Sequence, residues 1–423
     1  MIAPAARRDF RLLWIGETAS LFGSSVTSLA LPLVALQTLN AGTFTVATVA
    51  AAAWLPWLVI GLPAGALVDR WPRRRIMLAC DAVSIAVLAS VPAAAWLGTL
   101  TIAHLLVATL LTGVANVFFQ TSYASYLPTV VGPADLPEAN AKLQGSESAA
   151  QVAGPGLAGL LAQLFGAVTG LLADAVTFGV SAVCLLRIRT REEPAAGAAE
   201  RRSLRHEIAA GLRFVARDGY LRVFAAYGAL SNLLLVGYQA ILVVFLVRTV
   251  GLSPGAVGLL SALTSLGGIA GAALAPWIVH RFGSARGLLL SKALCVPFAL
   301  LIPLTGTGVA LSCFVLGSTV LIGGVVAGNV ISGSFRQAYV PPRMLGRAIT
   351  SMQFVNYGTI PFGALLGGAI GTALGLRPAL WVMTGCLAVS SAILLVGPLR
   401  RHRDLPARPE PTRPEPEPVR VAA

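Results

Sequence analysis

Of the chain's 17 aspartates and glutamates, four interrupt long apolar runs: Glu17, Asp81, Glu147 and Asp174. A charge at the centre of a membrane helix costs about 2.5–3.5 kcal/mol on insertion scales, so such residues face a cavity or a partner. A carboxylate in that position is suited to taking up and releasing a proton. Glu17 lies about six residues inside its run and Glu147 about five beyond Lys142. At 1.5 Å per helical residue both sit roughly 8–9 Å deep. Glu147 and Glu17 are therefore either proton carriers or structural partners of a nearby Arg or Lys. Asp81 follows Arg75 by a turn and a half and is expected to pair with the arginines there. Asp174 is either a third proton-coupling residue or a structural hydrogen-bond hub.

Other chemistries find no support. The four histidines are scattered, and the five cysteines each lie inside an apolar run without a C-x-x-C pair. Neither set offers the spacing of metal ligands or of a disulfide framework. No phosphate loop of the G-x-x-x-x-G-K-[ST] kind exists, so ATP is not the energy source. No nucleophile, base and orienter come together either. The expectation is a protein without cofactor or metal that is not an enzyme.

The elements that must position these acids follow from composition. The chain has 423 residues, 56% hydrophobic and only 11% charged. A soluble globule of this size would carry about 25% charged residues. A bilayer core of roughly 30 Å is crossed by about 20 apolar helical residues. Twelve such runs are visible, over about 10–37, 43–68, 75–97, 101–126, 140–164, 167–187, 219–248, 254–280, 286–305, 308–334, 345–371 and 375–398. In lipid every backbone polar group must be satisfied within its segment, so these are helices. The fold class is an all-α membrane protein.

Net charge is +14, carried mostly by arginine. A nucleic-acid surface would gather these cations on one solvated face. Here they fall in short clusters at alternate gaps between the runs. With the N-terminus inside, 29 of the 31 basic residues lie on the inner side, and only Arg248 and Arg377 lie outside. That asymmetry indicates an even number of spans with both ends cytoplasmic, and the expected location is the plasma membrane. Nucleic acid is excluded as a partner; the bilayer, protons and a small-molecule substrate remain, for a chain expected to act as a monomer.

The organisation reads as four parts. Residues 1–188 form one six-helix bundle and 219–398 a second. Between them, 189–218 is a cytoplasmic linker whose Leu204, Ile208, Leu212 and Val215 share one face of an interfacial helix. The Pro- and Glu-rich tail, 399–423, is expected to be disordered. The two bundles echo one another. Asp69-Arg70-Trp-Pro-x-x-Arg75 matches His280-Arg281-Phe-Gly-x-x-Arg286, and Tyr126-Leu-Pro128 matches Tyr339-Val-Pro341, at offsets of 211 and 213. Two matches near one offset indicate a six-plus-six duplication, an architecture transporters use to enclose a midplane site.

Several motifs carry a family resemblance. Gly65-Ala-Leu-Val-Asp69-Arg70-Trp-Pro-Arg73-Arg74-Arg75, between spans two and three, resembles the signature of the major facilitator superfamily. Gly154-Pro155-Gly156-Leu-Ala-Gly159, in span five, looks like the antiporter motif of its drug/proton antiporter branches. Phe10-Arg-Leu-Leu-Trp-Ile-Gly16, Asp174-Ala-Val-Thr-Phe178, Gly211-Leu-Arg-Phe-Val215 and Gly346-Arg347-Ala348 are similar to macrolide-efflux and siderophore-export transporters.

The resemblance implies two pseudo-symmetric bundles in the major facilitator fold. It places Glu17 and Glu147 on neighbouring helices of one cavity. It implies a gating loop of Gly65, Asp69, Arg70, Arg73 and Arg74, with Asp69 facing Gly346 and Arg347, and Arg73 to Arg75 within reach of Asp135 or Glu138. The glycines around Pro155 are expected to meet Gly267-Gly268-x-x-Gly271. Substrate contacts are expected from Asn116, Gln120 and Tyr123; from Asn232, Tyr238 and Gln239; from Asn329 and Arg336; and from Gln353, Asn356 and Tyr357. The implied function is secondary active export of lipophilic or cationic small molecules, drugs or natural products, by proton antiport and alternating access. A dedicated siderophore or metabolite exporter and a lipid translocator are the alternatives.

Overall fold

In a computed structural model, residues 4–68, 71–132, 135–190, 192, 204–396 and 402–406 are described. They are helical, with no strand among them. The first bundle comprises α1 (Pro4–Leu33), α2 (Thr43–Val68), α3 (Arg73–Trp96), α4 (Ile102–Val131), α5 (Leu136–Phe165) and α6 (Val168–Arg187). A linker helix, α7 (Leu204–Arg217), leads to the second. That bundle holds α8 (Gly219–Val244), α9 (Pro254–Phe282), α10 (Ser284–Leu289), α11 (Leu311–Tyr339), α12 (Pro342–Gly358), α13 (Ile360–Leu374), α14 (Leu376–Ser390) and α15 (Ala392–Val396).

Eleven of the described helical stretches are long and apolar enough to cross a bilayer. The expected fifth span is not among them. It is nevertheless a helix of 30 residues, packed between α1 and α9. Gln144, Glu147, Gln151 and Gln163 lower its apolar character, and its neighbours rather than lipid receive much of its surface. The span expected over 375–398 is broken at Ser391, between α14 and α15, and two others are interrupted at proline. Proline at 361 follows the break between α12 and α13, where the Thr359 hydroxyl donates to the Ala229 carbonyl at 3.1 Å. The stretch after α10 passes through a π-helical turn at Leu290–Leu294 into a 3₁₀ segment at Val296–Leu304, which contains Pro297 and Pro303. Proline withholds the N–H that an α-helical ladder needs, so a regular helix does not continue through either place.

Carboxylates close the chain back on each bundle at equivalent points. Glu192 accepts from the backbone N–H groups of Arg73 and Arg74, each at 2.7 Å, at the start of α3. Asp404 accepts from the Ser284 N–H at 2.9 Å, at the start of α10. The two acids stand 212 residues apart, the offset of the sequence repeats. A carboxylate at a helix N-terminus satisfies orphan donors and complements the macrodipole. Asp9 ties the same end of the first bundle, accepting from the Thr190 N–H at 2.8 Å and its hydroxyl at 2.7 Å. Both ends of the described chain thus lie on one face of the molecule, here termed the terminal face.

The bundles meet along two seams, α5 with α9 and α2 with α13. Both are tightest at the far face, opposite the termini. A Cβ on Gly159 would stand 2.6 Å from the Pro254 carbonyl oxygen and 2.7 Å from the Gly258 Cα, so only glycine fits. Arg248 spans the same face, donating to the Ala41 carbonyl at 2.9 Å. A continuous buried cluster including Leu33, Leu36, Ala41, Ile241, Val244 and Phe245 fills the region. Toward the terminal face, a Cβ on Gly65, Gly145 or Gly346 would meet nothing within 4 Å. The two bundles are thus closed against each other at the far face.

Candidate functional site

Each bundle encloses a cavity, and the two differ in charge. The first, about 350 Å³, lies among α1, α2, α3, α4 and α6. Glu17, Asp81 and Asp174 all line it, with Asn116 and Gln120 opposite, and no lysine or arginine does. Glu17 is 6% exposed; its Oε1 accepts from Gln120 Nε2 at 3.5 Å, and its Oε2 has no partner. Asp81 is fully buried. Neither of its oxygens accepts a hydrogen bond, although Ser181 stands beside it. Asp174 is satisfied: Thr27 donates to Oδ2 at 2.5 Å and Thr177 to Oδ1 at 3.2 Å. A buried acceptor without a donor is costly, and Glu17 and Asp81 between them hold three such oxygens.

The second cavity, about 290 Å³, lies among α8, α11, α12 and the π-helical turn after α10. It contains Asn232, Asn329, Arg336, Gln353, Asn356 and Tyr357, together with Lys292, and no acid lines it. Lys292 is 5% exposed, and its Nζ donates to the Val325 carbonyl and to Asn329 Oδ1, both at 3.0 Å.

Aromatic rings stand where the cavities approach each other. Trp54 and Trp57 of α2 line the first, Tyr357 of α12 lines the second, and their ring centroids lie 5.8 and 6.1 Å apart across the seam. Apolar walls with a few convergent polar groups are the usual form of a small-molecule site.

The model of the transmembrane secretion effector family matches residues 1–421. The chain belongs to this family of the major facilitator superfamily. It is 28% identical over 411 residues to the multidrug efflux pump Tap of Mycolicibacterium fortuitum, covering 92% of this chain and 95% of that one. A Tap pump of Mycobacterium tuberculosis is 27% identical over 406 residues, covering 93% and 94%. Among solved structures, a variant of the nucleoside transporter NupG superimposes with a TM-score of 0.75 at 12% identity, covering 92% of this chain and 99% of that one. A bacterial homologue of the iron transporter ferroportin, inward-facing, gives 0.75 at 14%, covering 92% and 98%. These likenesses establish the fold of a major facilitator transporter, a multi-pass membrane protein that is not an enzyme.

Within this major facilitator transporter, the expected site residues fall into distinct places. Glu17, Asp174, Asn116 and Gln120 share the acidic cavity. Tyr123 stacks on Phe119 nearby, its hydroxyl buried without a partner. Glu147 does not line that cavity; it is half-buried on α5 and accepts from Gln144 and Gln151 at 3.1 and 3.3 Å. It is Ser146, one residue earlier, that faces α1, where Trp14 and Thr18 donate to it. Asp81, expected to pair with arginines, faces the cavity instead.

On the second bundle, Tyr238 is packed in the far-face core and Gln239 is exposed, and neither lines either of these two cavities. Tyr238 and Gln239 lie past the level of Asn232 and Leu235, the α8 residues nearest the far face that line the cavity.

The gating loop is only partly described: Asp69 and Arg70 lie outside the described residues, as does the tail over 408–418. Arg74 donates to the Leu185 and Leu186 carbonyls at 2.8 and 2.7 Å, and Arg73 to the Ser125 carbonyl at 3.4 Å. Glu138, expected near these arginines, pairs with Lys142 at 2.8 Å, four residues along its own helix. That pair holds the exposed Glu138 carboxyl below the usual range, through the hydrogen bond first and the charge second. Gly154 faces Ser25 of α1, while Pro155 and Gly159 meet Gly258 rather than the Gly267–Gly271 stretch. Gly267 and Gly271 pack within their own bundle against Thr319 and Gly323 of α11. The linker helix docks on α12, with Gly211 against Ser351 and the Arg347 carbonyl, and Val215 in the adjoining core.

Three lining residues are not among those expected: Lys292, Trp54 and Trp57. In the sequence Lys292 reads as an inner-side cation. It follows Arg286 by six residues, the spacing that puts Asp81 past Arg75, and that spacing was the available signal.

Proposed function

We propose that this transporter expels lipophilic and cationic small molecules across the plasma membrane in exchange for protons. Both termini are cytoplasmic, by the distribution of arginine. The closed far face is then the outer one. The two bundles, 1–188 and 219–398, rock about the α5/α9 and α2/α13 seams as a monomer, presenting the cavities to one side at a time.

The observation that carries this reading is the state of Glu17 and Asp81. Three of their four carboxylate oxygens are buried without a hydrogen-bond partner, in a cavity that no basic residue lines. A charge buried unpaired is strongly disfavoured. A proton or a cationic cargo can neutralise these groups, and each displaces the other. Mutual exclusion at one carboxylate is what exchange requires. The resemblance to pumps named for multidrug efflux supports the direction and the breadth of cargo.

The test is transport in everted membrane vesicles acidified inside by respiration. The parent protein is expected to accumulate ethidium in the lumen, and an uncoupler to abolish it. Glu17→Gln and Asp81→Asn are expected to abolish the proton-driven component in protein that remains monodisperse. Undiminished accumulation in both variants overturns the coupling role.

A further inference from the structure

The second cavity is lined by Lys292 and Arg336 and, among the described residues, by no acid. Lys292 is 5% exposed, in the π-helical turn Leu290–Leu294. Such turns recur at functional sites because they turn a side chain out of the regular ladder. An ammonium carries three donors. Two reach neutral acceptors, Val325 O and Asn329 Oδ1, and Tyr227 presents its ring at 5.8 Å. When the amine is protonated, its third donor has no partner among the described residues. Arg336, on the same wall, adds a guanidinium and has no ion pair among the described residues. The amides of Asn232, Gln353 and Asn356 and the hydroxyl of Ser332 complete the polar lining. Asn356 Oδ1 is buried without a hydrogen bond. Thus, among the described residues, two basic groups face one cavity with no carboxylate on any wall, as three carboxyl groups face the other with no basic group.

We propose that the second cavity is an anion subsite, receiving a carboxylate or similar oxyanion of the transported molecule. A bidentate or charge-assisted contact to Arg336 and Lys292 would satisfy both, and the donors of the surrounding amides fit the remaining lone pairs. With Trp54, Trp57 and Tyr357 between the cavities, the cargo class this favours is a zwitterionic aromatic amphiphile. Its cationic end is held by Glu17 and Asp81, its ring on the aromatic bridge, and its anionic end by Lys292 and Arg336. The inference rests on the export reading and narrows its substrate class.

The probes are rhodamine B, whose carboxylate is free, and its ethyl ester, the same fluorophore without that charge. Their affinities for the full chain in nanodiscs are measured by fluorescence polarisation. In Lys292→Gln and in Arg336→Gln the ratio of the two affinities is expected to shift about tenfold against rhodamine B, with Lys292→Arg restoring most of it. Arg336 is less buried, so its variant serves if Lys292→Gln does not fold. An unchanged ratio in variants that still bind both dyes overturns the subsite and leaves the export reading intact. Should the parent protein bind neither dye, the broad-cargo reading falls. Quenching of tryptophan fluorescence by 4-nitrobenzoate then decides the subsite: saturable quenching that Lys292→Gln removes supports it, and identical quenching in both proteins overturns it.

Discussion

Trp57 meets Tyr357 edge-on across the α2/α12 interface, 6.1 Å between ring centroids at 65°, and joins an acidic cavity to a basic one. Each ring belongs to a different bundle. A rocking motion that parts the bundles on this side must part the rings, so a flat molecule seated between them senses which state the transporter occupies.

Removal of this bridge has a graded effect. Aromatic pairs contribute about 0.5–1.5 kcal/mol beyond burial. Tyr357→Leu is therefore expected to raise KM for an aromatic dye about two- to tenfold, with a smaller change for an aliphatic quaternary amine. Equal changes for both cargoes would place Tyr357 outside the binding surface.

The far-face seam tolerates no side chain at Gly159. Gly159→Val is expected to leave expression and insertion intact but to keep the far face from closing, reducing transport at least about tenfold, since a near-contact of 2.6 Å cannot relax against backbone. Maleimide labelling of a cysteine at position 163 reads the outcome, with faster labelling expected in the variant. Normal transport in Gly159→Val would show that the seam has room to spare.

Asp174 and Thr27 tie α6 to α1 through a buried hydrogen bond of 2.5 Å. A double-mutant cycle of Thr27→Val and Asp174→Asn should return a coupling of about 1 kcal/mol in thermal stability, the scale of interhelical bonds in membranes. A coupling near zero would return Asp174 to the list of proton carriers free to titrate without structural cost.

Topology makes the simplest demand. In a cysteine-free background, a cysteine at Asn40 is expected to react with an impermeant maleimide in intact cells, and one at Arg403 only after permeabilisation. Equal reactivity of the two sites would contradict both the even number of crossings and the cytoplasmic termini.

The helices were legible because lipid imposes a length and a polarity that few residues can evade, and arginine placement then ordered them. Even α5, too polar to stand out as a membrane span, was recoverable from its position between charged gaps. The site was less legible. Glu17 and Glu147 look alike in sequence, at similar depths in neighbouring helices, yet one faces a cavity and the other is half-buried on α5 beside Gln144 and Gln151. Which way a side chain turns depends on the packing of a whole bundle, and linear spacing does not encode it. Lys292 was masked by its neighbourhood: near Arg281 and Arg286 it reads as one more loop cation. Gly258 was missed for a similar reason. The sequence points to the correct helix, α9, but several of its glycines are equivalent until α11 is seen to occupy Gly267 and Gly271.

Where Gly159 rests on Gly258, backbone lies on backbone and nothing can ionise. The polar contacts nearby, from Arg248 to a carbonyl and from Ser253 to Gln163, also end on acceptors that do not titrate. Acidity therefore has no grip on this fulcrum. A change of charge in the interior of either bundle can reach this face only as mechanical tilt.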